Sequence, residues 1–141
     1  MVHALRESHR VLRPGGVLLD LRPAAAHRRI GLGPGRRWRP IGVMRESFHE
    51  DHAADRAIAE SLRSGWFRRG ARAEFLVDRE MDTTEDFLAW LTDFRQRRII
   101  TANRALIRKL KRALTVNEST IVGRGLVTLQ VLRKREPQAA R

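Results

Sequence analysis

Asp20 and Arg22 are a pair whose chemistry and spacing could serve a ligand. They close the apolar run Val17-Leu18-Leu19-Asp20-Leu21, which reads as a short strand ended by Arg22-Pro23. Residues two apart in a strand share a face. Open α/β sheets gather ligands outside the carboxyl ends of their strands. Asp20 and Arg22, with His27 just beyond, are therefore the expected substrate-side residues. An ion pair that merely ends the strand explains the same residues. No acid–base pair stands out anywhere in the chain, so no residue is expected to be catalytic.

A second group is cationic. Arg97, Arg104, Arg108 and Lys111 fall on one face of a helical pattern, opposite Ile99, Leu106 and Leu110. Such a row can track a phosphate backbone and is the expected phosphate-binding face. A solvated outer face gives the same pattern. His49, Glu50, Asp51, His52 and Asp55 are ligand types for a metal, but the His-Glu-x-x-His spacing is missing. Acids at a helix start already suit its dipole, so no metal is expected. Gly31-Leu32-Gly33-Pro34-Gly35 echoes a phosphate loop. Pro34 interrupts it, and Arg36-Arg37-Trp38 follows where a helix would be needed. Trp66, Phe67, Trp90 and Phe94 stand in apolar stripes and are expected in the core rather than as platforms for stacking bases.

Composition bounds what can position these groups. The chain has 141 residues and 42% hydrophobic content, enough for one core and ordinary for a folded protein. It contains no Cys, so disulfides and thiolate chemistry are excluded. No apolar run approaches the roughly 20 residues that span a bilayer, and the first residues carry no apolar signal core; a cytoplasmic protein is the expectation. The net charge of +13 is uneven: +7 over residues 1–40, −5 over 41–94 and +11 over 95–141. Such a field attracts anionic partners, nucleic acid included. Yet 26 of the 29 basic residues are Arg, a skew that base composition alone can produce.

The elements follow from periodicity. Residues 2–12 read as a helix, with Val2, Leu5, His9 and Leu12 on one face. Pro14-Gly15-Gly16 stops it. The run 17–21 has the near-continuous apolarity of a strand buried on both faces, as in a parallel sheet. Residues 23–40 read as a long loop, with a short extended piece at 41–46. A helix over 51–64 lines up Ala54, Ile58 and Leu62 and closes at Gly65. Residues 66–80 read as extended. Thr83 is the expected N-cap of a helix carrying Phe87, Leu88, Leu91 and Phe94. Helical spacing resumes through Ile99, Asn103, Leu106, Leu110 and Leu114 after a bend near 95–98. Residues 120–133 form the last strand, with a turn or bulge at Gly123-Arg124-Gly125. One domain over 1–135 and a polar tail over 136–141 are expected.

The segment Leu5-Arg6-Glu7-Ser8-His9-Arg10-Val11-Leu12-Arg13-Pro14-Gly15-Gly16-Val17-Leu18-Leu19 resembles the run before and within the fifth strand of class I S-adenosylmethionine (SAM)-dependent methyltransferases. The resemblance continues at lower specificity: 51–67 with the helix after that strand, 71–80 with the sixth strand, and 120–133 with the seventh. It implies a partial Rossmann-like fold of about three strands, the fifth to seventh of the family, with the last antiparallel and helices flanking. It also implies SAM as cofactor and methyl transfer as activity. The family's Gly-rich turn and acidic second strand end have no counterpart here. The expectation is a C-terminal half that is inactive alone. Its open sheet edge would take the missing half or another chain. A small Arg-rich nucleic-acid-binding protein and a non-catalytic partner protein are the alternatives.

Overall fold

The structure, a computed structural model, describes residues 1–33, 35–97, 100–101, 104–116 and 120–135. Among them the protein is mixed α/β. The helices are α1 (Val2–Val11), α2 (His49–Arg63), α3 (Thr84–Arg97) and α4 (Arg104–Val116). The strands are β1 (Val17–Pro23), β2 (Arg28–Leu32), β3 (Arg39–Glu46), β4 (Phe67–Met81), β5 (Ile100–Thr101) and β6 (Ile121–Lys134). They form an open sheet paired in the order β1-β6-β2-β3-β5, with β4 also against β6. Six strands thus replace the expected three or so. The chain divides into two compact units: one of Met1–Ala25, His49–Phe75 and the chain from Val127, the other of Ala26–Phe48 and Leu76–Leu126. The expected tail, 136–141, lies outside the described residues.

In the first unit, α1 ends as its residues dictate. Leu12 leaves the helix extended, Gly16 N–H donates to Arg13 O at 2.9 Å, and Gly15 takes φ +72. Lys134 Nζ donates to the last carbonyls, His9 O at 2.6 Å and Leu12 O at 2.7 Å. This cation is the cap that a helix C-terminus favours. β1 pairs antiparallel with β6 from Val17↔Arg133 to Pro23↔Val127. Leu18 and Leu132 join Leu5, Ala57, Ile58 and Phe67 in one core with α1 and α2. The opposite face of β1 is open: Val17, Leu19 and Leu21 are 40%, 61% and 62% exposed. The expectation of a parallel strand buried on both faces is therefore corrected. Both helices pack on the Leu18 side, and no described element covers the other.

The second unit corrects three further expectations. Residues 23–40 are not one loop. β2 pairs antiparallel with β6 and with β3. The sequence hides this strand because Gly31 reads as a loop residue. It is glycine because Trp38 crosses it: a Cβ there would lie 2.4 Å from Trp38 Nε1 and 2.5 Å from Arg39 O. β6 runs unbroken through Gly123-Arg124-Gly125, where no turn forms. Gly123 admits Trp90 and Gly125 admits the Arg28 side chain, each at 3.3 Å from an added Cβ. The helical spacing does not resume at 99. β-branched Ile100 and Thr101 form β5 on β3 (Glu46↔Ile100, Arg45↔Thr101) before α4 begins. Ile99 and Asn103 lie outside the described residues. The core comprises Ile30, Leu32, Met44, Met81, Phe87, Trp90, Leu91, Leu106, Leu110 and Ile121. α3 starts in a reciprocal cap: Thr83 Oγ1 accepts from Asp86 N–H at 3.0 Å, and Asp86 Oδ2 accepts from Thr83 N–H at 3.1 Å.

Candidate functional site

Alternation along β1 sets Leu18, Asp20 and Arg22 on the face covered by α2. Arg22 Nε donates to Asp20 Oδ2 at 2.9 Å and Nη2 to Asp55 Oδ1 at 2.6 Å. Its Nη1 donates to the Asp51 carbonyl at 3.3 Å. Burial alone would pull the Arg22 pKa down, but hydrogen bonds and charge from Asp20 and Asp55 outweigh it and leave the pKa raised. Arg22 is thus a permanent cation that ties β1 to α2. The Asp20 and Arg22 side chains are 11% and 17% exposed.

Across the ladder, Asp20 faces Gln130 and Arg22 faces Thr128. Both β6 residues are buried, and Thr128 Oγ1 lies 3.5 Å from Glu74 Oε1. Gln130 is 4% exposed, and its Nε2 has no hydrogen-bond partner among the described residues. A buried amide donor left unmade is costly. The end of this face therefore offers a carboxylate, a fixed guanidinium and one unsatisfied donor. The Arg22 nitrogens are engaged by Asp20, Asp51 and Asp55, and the face contains nothing arranged to move a proton. Gln130 was missed in the sequence because it sits between Leu129 and Val131 in a segment read for its apolar residues. The period of two in Thr128, Gln130 and Leu132 is the signal that could have found it.

His27 belongs to the second unit. Its Nδ1 accepts from Glu46 N–H at 3.1 Å, and its ring lies 4.8 Å from that of Phe48. It is exposed. Arg104, Arg108 and Lys111 are exposed on α4, whereas Leu106 and Leu110 are 5% and 0% exposed. Arg97 ends a different helix, α3, and its side chain lies outside the described residues. The four residues therefore do not share one continuous helix: β5 lies between α3, which Arg97 ends, and α4, which carries Arg104, Arg108 and Lys111. Trp38 carries two guanidiniums over its ring, Arg29 at 5.3 Å and Arg124 at 4.4 Å. Arg124 in turn grips Asp78 with two hydrogen bonds of 2.7 Å. This arrangement has no sequence signature, because its members come from four separate segments.

Among the predicted metal-ligand types, Asp51 is buried in the first turn of α2, His49 and His52 are exposed, and Asp55 serves Arg22. No group of three or more His, Cys, Asp or Glu among the described residues could hold a metal ion. No helix among them is long and apolar enough to cross a membrane. The described residues form a groove of about 350 Å³ in the first unit, bounded by Gly15, Arg68, Lys134 and Arg135, and another of about 560 Å³ in the second, beside Trp90, Arg79 and Asp93. Neither is lined by Asp20, Arg22, Gln130 or His27. Compared with protein-family models, with curated proteins and with solved structures, the chain matches none.

Proposed function

We propose that this chain is the C-terminal part of a class I SAM-dependent methyltransferase acting in the cytoplasm, whose whole form moves a methyl group from SAM to an acceptor. The observation that carries the reading is the segment 5–19 together with the form it takes. It makes a helix ending at Val11, an extended Leu12, the turn at Pro14 with a left-handed Gly15, and then β1, with β6 antiparallel beside β1. In this reading Asp20 and Arg22 belong to the acceptor's side, with Gln130 opposite Asp20 in the ladder. No acid–base pair is required, because positioning an acceptor against the methyl sulfonium can itself supply much of the rate. The Gly-rich turn and acidic strand end that would hold SAM are not among these 141 residues. The chain by itself is expected to transfer nothing.

The test is the DNA upstream of the Met1 codon. In-frame codons for a strand, a Gly-rich turn and a later acidic strand end are expected. The joined protein should then bind SAM, while the 141-residue chain does not. A stop codon or unrelated sequence there would remove the reading.

A second reading rests on α4, where exposed Arg104, Arg108 and Lys111 back onto buried Leu106 and Leu110. Such a face can bind a nucleic-acid backbone. Retention on RNA or DNA should then fall log-linearly with salt, and Arg104→Glu with Arg108→Glu should weaken it. No retention at low salt would end this alternative.

A further inference from the structure

We infer that a second copy of this chain pairs with the outer edge of β1, antiparallel about a twofold axis at Leu21. Among the described residues β6 is the one strand paired with β1, so the other edge of β1 offers a row of backbone N–H and C=O groups without a strand. Open edges of this kind are templates for a further strand. The face beside this edge is apolar. Val17, Leu19 and Leu21 are 40%, 61% and 62% exposed, and Val127, Leu129 and Val131 continue it half-exposed on β6. Edge pairing would set the two copies' apolar faces side by side without covering them, so the inference rests on the open edge and the charge register.

The occupant follows from the charge register. Asp20-Leu21-Arg22 is complementary to itself when read antiparallel. With Leu21 opposite Leu21, Asp20 of each copy lies opposite Arg22 of the other, and Leu19 lies opposite Pro23. The two neighbouring registers that keep the apolar faces together set Asp20 against Asp20 or Arg22 against Arg22, and directly opposed like charges destabilise a ladder. A slip of one residue would turn the apolar face of one copy to the polar side of the other. One register therefore satisfies both charge and face. A two-fold contact of this kind closes on itself and stops at a dimer. In the methyltransferase reading the missing half would take this same edge, so the self-pairing is a property of the 141-residue chain by itself and needs neither cofactor nor acceptor.

The chain has no cysteine, which makes a direct test available. Opposed residues in an antiparallel pair have Cβ atoms roughly 4.5–5.5 Å apart, close enough for a disulfide after slight adjustment. Leu21→Cys should crosslink at the axis. Leu19→Cys, offset from its own copy by four residues or roughly 13 Å, should not. Val43→Cys, at an exposed position on β3, is the control. Under mild oxidation of the full chain, Leu21→Cys should form disulfide dimers at least about tenfold faster than the other two, because a preformed pair raises the effective thiol concentration. The cysteine-free chain should also rise in sedimentation velocity from 16.2 kDa toward twice that mass as its concentration increases. Equal crosslinking rates for the three variants would overturn the proposal. So would an unmodified chain that stays at 16.2 kDa throughout.

Discussion

His9 lies against Trp66 and Phe67, with ring centroids at 6.1 and 5.6 Å. Burial first, and then the charge of Lys134, lower its pKa from the usual 6.5. The fold therefore favours neutral His9, while the unfolded chain takes up its proton near 6.5. Stability should fall as pH drops below that value and level off beneath the lowered folded pKa. Thermal melts at neutral and mildly acidic pH should show the loss, and His9→Gln should reduce it. An unchanged pH difference in the variant would refute the assignment. Asp78 is the opposite case. Hydrogen bonds from Arg124 outweigh its burial and, with the Arg124 charge, hold it below the ordinary 3.8. Its contribution is present above about that pH and disappears as pH falls through the lower folded value. Asp78→Asn should cost about 0.5–1 kcal/mol at neutral pH, the scale of a partly exposed pair. The deficit should shrink in strong acid, as urea titrations at the two pH values can measure.

Elements depend on a few residues whose roles are local. Thr83→Ala removes one half of the reciprocal cap at the start of α3 and should cost about 1 kcal/mol. Urea unfolding measures it, and a loss near zero would mean the cap is not formed in solution. Gly31 has a different role. An added Cβ would strike both the Trp38 ring and the Arg39 carbonyl, and the carbonyl is backbone that cannot simply rotate away. Gly31→Ala should therefore destabilise by about 1–3 kcal/mol, as overpacking does. Unchanged stability would mean that Trp38 does not lie over β2.

At the scale of the whole molecule, each of the two units has its own apolar cluster. The apolar face of β1 contributes to neither cluster. Two leucines separate these environments. Leu110 is 0% exposed in the second unit's core, and Leu21 is 62% exposed on β1. Leu110→Ala should cost about 2–5 kcal/mol through lost burial and a cavity. Leu21→Ala should change the stability of the monomer by less than about 0.5 kcal/mol. Equal penalties in dilute denaturant titrations would mean that the β1 face is covered.

Helix positions and most strand positions were legible from the residues alone. Apolar spacing at three and four marks α1, α2 and α3. Pro14, Gly15 and Gly65 mark their ends, the two glycines at φ +72 and +73. Thr83 and Asp86 announce a cap within four residues of chain. Asp20 and Arg22 were legible as a pair for the same reason, being two apart on one strand. These are local rules, and each acts within a few residues. What the sequence left open is decided at long range. β2 exists because Trp38 can close over Gly31 and because β3 and β6 supply its ladders. Gly123 and Gly125 are strand residues because Trp90 and Arg28 need their space. Gln130 joins Asp20 only through the β1–β6 register. The exposure of Leu19 and Leu21 depends on which side α1 and α2 pack. An apolar run records that a strand is able to be buried, and only tertiary packing determines which of its faces is.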